Sequence, residues 1–230
     1  LGDVYKRQPL DEIPSFPGLQ DPCITRINDT LILGGVRFPV SISDSETSWQ
    51  MEFFVENEDR FEKIFTGPPK MKDIRFLQLP SSRILVLTRP QGKRGGRGKI
   101  GFCVVDSLEA LTHGLIENAP LFDHCPKEKW VGANEAHLLK GGKIGVLGHL
   151  AEFSEDGHRH YYSMVFSIDL KSGTSTQPEI LARRSDFPPG ESKRSDLVDV
   201  LFSGGLKRIG NGRSLLYAGL SDAESGVLEL

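Results

Sequence analysis

The chain has 230 residues, 38% hydrophobic and 26% charged, with a formal net charge of −3. That length supports a sizeable core, and the balance is ordinary for a globular protein. The charge gives no global pull toward nucleic acid or an anionic membrane, and no apolar run reaches the length of a membrane span. Three scattered cysteines, Cys23, Cys103 and Cys125, form neither a disulfide framework nor a CxxC metal pair, so they read as reduced thiols in a cytoplasmic compartment. The 25 glycines and 14 prolines imply many turns.

Leu1–Gln8, LGDVYKRQ, resembles translated read-through of a sequencing adapter and is set aside from fold reasoning. Residues 9–230 are expected to form a single domain. The closing GVLEL reads as the middle of a strand, so the chain is expected to be an internal fragment.

Pro9–Gln20 is Pro-rich and irregular. Asp21-Pro22 starts a turn, because proline pushes its predecessor out of the helical region. Cys23–Ile27 reads as a strand, Asn28-Asp29 as a hairpin turn and Leu31–Leu33 as the returning strand, ended by Gly34-Gly35. Gln50–Val55 is a further strand, and Phe61–Phe65 continues the sheet. After Met71–Leu79, Pro80–Ser82 is a turn, Ile84–Leu87 a strand, and Thr88-Arg89-Pro90 its end. Gln91–Lys99 is a flexible basic loop, Ile100–Val105 a strand, and Ser107–Leu115 one or two helical turns. Leu138-Leu139 leads into the turn Gly141-Gly142. Ile144–Leu147 is the next strand, ended by Gly148-His149, with Tyr161–Ile168 as its partner. Glu179–Ala182 is a short strand and Phe187–Arg194 a loop. Leu197–Phe202 is a strand closed by Ser203–Gly205. Last come the turn Asn211-Gly212 and the strand Leu215–Tyr217.

Four turn-then-strand stretches therefore centre on Asp29, Ser82, Gly142 and Gly212, roughly 50–70 residues apart, room for about four short strands each. No segment shows three turns of amphipathic helix. The repetition predicts an all-β propeller built of four-stranded blades. A two-sheet sandwich with long loops is the competing fold.

Five segments in order carry a resemblance. They are QDPCITRI at Gln20–Ile27, VLTRP at Val86–Pro90, KWVG with LLKGGKIGVLGH over Lys129–His149, VLFSGGL at Val200–Leu206, and LYAGLSDA at Leu216–Ala223. Together they resemble the inverting mannoside phosphorylases. The nearest branch is a divergent one of dual-activity β-1,2-mannosyltransferase/phosphorylases, long described as a domain of unknown function. The resemblance implies a five-bladed β-propeller, here incomplete at both ends. It implies a glycoside phosphorylase or glycosyltransferase that cleaves or forms β-mannosidic bonds, with mannose-1-phosphate as product or donor. Inorganic phosphate is the co-substrate and no cofactor is expected. Two motifs depart from the family pattern. Its acidic-Asp-Pro-Arg becomes Gln20-Asp21-Pro22-Cys23, and its Gly-x-Gly-Pro becomes Gly132-Ala133-Asn134-Glu135. The acceptor and the balance between transfer, phosphorolysis and hydrolysis stay open.

Asp21 is the candidate general acid, since glycosyl transfer needs a proton on the leaving oxygen. Taken alone it is equally a turn-starting Asp before Pro. Arg89 and His149 stand just after apolar strands, and the resemblance places both around phosphate, for which Arg offers a planar fork. Otherwise they read as a solvated strand-end charge and a core histidine. In the loop Gly92–Lys99, Arg97 is a further candidate phosphate contact, because exposed glycine amides and a cation suit an anion, although the loop reads first as a mobile hairpin loop. No aromatics interleave with that loop's basic residues, so nucleic acid is not the expected partner. Asp222 and Tyr217 are candidate sugar binders, through hydroxyl-accepting carboxylate and ring stacking, with Glu135 and Asp199 behind them. The histidines lack a recognised metal-ligand spacing, so no metal is expected. A non-catalytic carbohydrate-binding propeller and a glycoside hydrolase are the alternatives. The hydrolase would need a second carboxylate beside Asp21, with Glu135 and Asp199 as the ones to inspect.

Overall fold

The structure, a computed structural model, describes residues 15–43, 46–57 and 60–230. The Leu1–Gln8 segment lies outside them. The first sheet is β1 (Leu19–Ile27), β2 (Thr30–Ser43), β3 (Glu46–Asn57) and β4 (Arg60–Thr66). The second is β5 (Arg75–Gln78), β6 (Ile84–Thr88) and β7 (Gly101–Val105). The third holds β8 (Trp130–Leu138), β9 (Ile144–Phe153), β10 (Arg159–Asp169), β11 (Thr174–Ser175) and β12 (Glu179–Ala182). The fourth is β13 (Leu201–Gly210), β14 (Arg213–Leu220) and β15 (Glu224–Glu229). All named pairings are antiparallel between strands adjacent in sequence, save that β10 also pairs with β12.

The four turns that mark the repeat in sequence each join the first and second strands of one sheet. Asn28-Asp29 joins β1 to β2, and Asn211-Gly212 joins β13 to β14. The first strands β1, β5, β8 and β13 neighbour one another in that order, so the sheets are arranged around a common inner line. Alternation explains the packing between sheets. On β6, Ile84 and Val86 enter the core shared with the first sheet, while Leu85 and Leu87 enter the core shared with the third. On β9, Val146 faces the second sheet and Leu147 the fourth. A strand buried on both faces needs this unbroken apolar run, because successive side chains point to opposite sides. The architecture is all-β and propeller-type.

Several boundaries differ from expectation. Gly34-Gly35 does not end β2, which runs on to Ser43. A Cβ at Gly34 would lie 2.7 Å from the Phe53 ring and 2.9 Å from Cys23 Sγ, so this glycine permits close packing within the strand. Likewise β9 continues past Gly148-His149 to Phe153. Leu197 belongs to a 3-10 turn, and the strand proper starts at Leu201. The basic loop contains one helical turn, α1 (Gly92–Gly95), and Arg94 donates to the carbonyls of Glu117, Asn118 and Ala119. The loop is therefore pinned to the end of α2 (His113–Glu117) and the residues just after it. Among the described residues, no helix is long and apolar enough to cross a membrane.

Candidate active site

The chemistry gathers at the end of the inner line opposite the four hairpin turns. Three acids reach it from a backbone that few residues adopt. Asp21 has φ 47°, Asp73 φ 60° and Asp222 φ 55°, all left-handed, a region in which Asp and Asn are enriched. Asp21 sits where the β1–β2 register slips between Gln20 and Cys23. Such a bulge re-aims a side chain out of the regular alternation. Asp73 stands just before β5, and Asp222 just after β14.

The floor is a buried charge cluster. Asp73 is 0% exposed, Arg89 2% and His149 1%. Asp73 Oδ2 lies 3.3 Å from Arg89 Nε and 3.7 Å from His149 Nε2, and Oδ1 lies 4.0 Å from Arg75 Nη2. Arg89 Nε also donates to Val131 O at 2.7 Å, and Nη2 to Arg97 O at 3.3 Å. Its Nη1 is buried and has no hydrogen-bond partner among the described residues. Burial would raise the Asp73 pKa, but the surrounding cations, Arg89 foremost, outweigh it and hold the carboxyl at about 2. Burial also drives His149 down to about 3 against the attraction of Asp73, so its ring is neutral at neutral pH. His149 Nδ1 is 2.9 Å from Asn134 Oδ1. Gly132 makes room for the cluster, since a Cβ there would meet the His149 ring at 2.4 Å and Asp73 Oδ2 at 2.6 Å.

Above this floor open two cavities that share Gln20, Asp21, Lys72 and Tyr161. The first, about 450 Å³, is lined by Arg89 and Arg97 and by Phe38, Trp49, Trp130 and Phe153. The second, about 550 Å³, is lined by Arg159, Lys193, Arg194, Asp222 and Glu224. Asp21 lies at their junction, 3.9 Å from Lys72 Nζ. Burial raises its pKa, with Asp73 and Asp222 adding to the effect and Lys72 opposing it. Tyr161 is held by Trp130, whose Nε1 donates to its hydroxyl at 3.2 Å, and it stacks on His149 with centroids 5.6 Å apart.

The structure thus brings Asp21, Arg89, Arg97 and Asp222 to two adjoining cavities, with His149 buried beneath Tyr161. The other three expected residues stand apart from them. Tyr217 lies mid-strand opposite Gly205 and lines neither cavity. Glu135 accepts from Leu206 N at 2.8 Å and faces His137, beside a separate cavity lined by Cys23 and Arg75. Asp199 turns its carboxylate to His160 Nδ1 at 2.6 Å. The sequence reading missed Lys72, Asp73, Tyr161 and Trp130. A signal for the first two exists, since Lys72-Asp73 precedes the first strand of the second sheet much as Gln20-Asp21 opens that of the first. Among the described residues, no group of three His, Cys, Asp or Glu is placed to hold a metal ion.

Residues 3–230 match the family described as "Protein of unknown function (DUF1861)". The chain belongs to this family. No curated protein matches it. Among solved structures, this DUF1861 chain is similar to a mannose phosphorylase from Leishmania mexicana in complex with phosphate ion. The two share 33% identity with a TM-score of 0.85, over 95% of this chain and 69% of that one. A GDP-Man-dependent mannosyltransferase from the same organism is 28% identical with a TM-score of 0.80, over 92% of this chain and 67% of that one. An endo-arabinase from Bacteroides thetaiotaomicron, 13% identical with a TM-score of 0.60 over 92% of this chain and 74% of that one, shares the fold.

Proposed function

We propose that this chain processes β-mannosides by inverting phosphorolysis or its reverse, mannosyl transfer, using inorganic phosphate or mannose-1-phosphate and no cofactor. Residues 9–230 act as one catalytic unit on a five-bladed propeller working in the cytoplasm. Nucleic acid and membrane are not its partners. The observation that carries the reading is Asp21 itself. Its carboxyl borders both cavities, burial favours its protonated form, and Arg89 and Arg97 line one side. A raised pKa favours the protonated carboxyl that a general acid must supply. Similarity to a mannose phosphorylase bound to phosphate supports the choice of nucleophile.

In phosphorolysis, Asp21 gives its proton to the glycosidic oxygen as the bond from that oxygen to C1 breaks. A phosphate oxygen attacks C1 from the opposite face, and α-mannose-1-phosphate leaves with inverted configuration. The unpartnered Nη1 of Arg89 holds the phosphate from the floor and the Arg97 guanidinium reaches it from the wall above, while Tyr161 and the neutral ring of His149 define the wall behind it. The mannosyl unit lies on the Asp222 side. Phosphate thereby replaces the second carboxylate that an inverting hydrolase uses to activate water. The engagement of Glu135 and Asp199 elsewhere, and of Asp222 with Lys193 at 2.7 Å, weighs against hydrolysis.

The test is mannose-1-phosphate release from a panel of β-mannosides. Asp21→Asn should lower turnover about 10²–10⁴-fold with sugar binding little changed. Arg89→Ala should raise KM for phosphate and spare sugar affinity. An Asp21→Asn protein with unchanged phosphorolysis would end the assignment of Asp21 as proton donor. An inactive wild type that still binds mannosides would leave the non-catalytic carbohydrate-binding propeller.

A further inference from the structure

The first cavity is graded from floor to rim. Arg89 at the floor is 2% exposed, whereas Phe38 and Phe153 at the rim are 44% and 38% exposed. The two walls of the rim differ. On the third sheet, the Trp130 and Phe153 rings pack together at 5.0 Å, and the Arg97 guanidinium lies 4.8 Å from the Phe153 ring and 5.5 Å from the Trp130 ring. Those aromatic faces are already engaged. On the opposite wall, Phe38 and Trp49 meet no other ring and no cation among the described residues. They sit on the β2–β3 hairpin. β1 makes its last pair with that hairpin at Leu19–Arg37, and β2 and β3 go on pairing to Ser43–Glu46. The hairpin is thus an arm that outruns its sheet and brings two aromatic rings, Phe38 and Trp49, to the rim beside Asp21. Phe38 is exposed, whereas Trp49 rests partly on the first core and its buried Nε1 has no hydrogen-bond partner among the described residues.

We propose that this rim is the subsite for the leaving sugar, and that Phe38 and Trp49 select it. The inference rests on the function proposed above and adds the location and chemistry of the acceptor. Phosphate at the Arg89 floor attacks one face of C1, so the leaving group must depart from the other face, toward solvent, past Asp21. A pyranose suits the two unlike walls. Its C–H face covers an aromatic ring, which removes apolar surface from water, and its hydroxyls accept from a guanidinium. About 450 Å³ is within the usual range of small-ligand sites.

The chain has two tryptophans, Trp49 and Trp130, and both line this cavity, so intrinsic fluorescence reports on it. Phosphorolysis is measured with a β-linked mannose disaccharide and with methyl β-mannoside, whose leaving group is too small to span the rim. Phe38→Ala and Trp49→Ala should each raise KM for the disaccharide about tenfold, equivalent to ~1.4 kcal/mol. KM for phosphate and for methyl β-mannoside should stay within about twofold. Unchanged disaccharide KM, or an equal rise for both mannosides, overturns the proposal while leaving the phosphorylase reading intact. If the wild type shows no phosphorolysis, the phosphorylase reading fails and the subsite is tested by titration alone. Mannose quenching that Phe38→Ala abolishes supports the subsite. No quenching by mannose, or quenching by GDP that mannose does not compete away, overturns it.

Discussion

The two cavities flanking Asp21 hold similar numbers of cations and differ in what those cations are doing. In the second cavity the charges are spent on one another. Lys193 pairs with Asp222 at 2.7 Å, and Arg159 and Arg194 both pair with Asp196. In the first, Arg97 makes no ion pair among the described residues, and Arg89 keeps a buried donor without a partner. An anion entering the first cavity meets available donors, whereas one entering the second must break existing pairs. Counting basic residues would rank the two alike, and it is the pairing that separates them.

Four substitutions sharpen that contrast. The largest effect should come from Asp73→Ala, which leaves Arg89 buried without its counter-charge. Loss of one partner of a buried pair costs about 3–5 kcal/mol, read as a fall in urea midpoint, and a change below about 1 kcal/mol would mean that the floor is wet. Gly132→Ala should cost about 1–3 kcal/mol, because the new methyl collides with the His149 ring and Asp73. A neutral outcome would show that the cluster can shift.

His149 gives the third prediction through pH. Its folded pKa is near 3 against an ordinary 6.5. Between those values the unfolded chain binds a proton that the native chain refuses, so stability falls as pH drops from 6.5 toward 3. The slope from this group is at most about 1.4 kcal/mol per pH unit. Asp73 adds to the loss only lower, between 3.8 and about 2, where its stabilising charge is titrated away. A His149→Gln protein should lose most of the slope above pH 4, and an unaltered slope would place the titrating group elsewhere. The smallest effect belongs to Lys193→Ala. This exposed pair should contribute under about 1 kcal/mol, and a larger drop in thermal stability would make the second cavity a structural clamp.

The sheets were legible because their turns have chemistry. Asn28-Asp29 and Asn211-Gly212 announce hairpins wherever they stand, and Glu179–Ala182 was bounded by its neighbours. Asp21 and Arg89 were singled out by the motifs that carry the family resemblance, since alone they read as a turn aspartate and a strand-end charge, and the structure brings both to the lining of one cavity. Asp73 was not. Its environment is assembled by Arg89, His149 and Gly132, residues distant in sequence, and nothing beside it hints at burial. The β2–β3 arm was hidden by Gly34-Gly35, which look like a stop. Only their contacts with Phe53 and Leu19 reveal glycines chosen for proximity within a continuing strand.

The left-handed backbone at Asp21, Asp73 and Asp222 constrains how this protein can drift over generations. At such positions a β-branched or bulky residue strains the chain, while Asn and Gly do not. At Asp21 and Asp222 the mutations easiest on the fold are therefore ones that delete a carboxylate and leave the scaffold standing, whereas at Asp73 the same change removes the counter-charge of buried Arg89. Asparagine at position 21 would retain much of the acid's shape and hydrogen bonding to sugar while ending proton delivery. A lineage built on this site thus has a short path from an enzyme to a protein that only holds carbohydrate, and Asn at the position of Asp21 in a relative would mark where that path was taken.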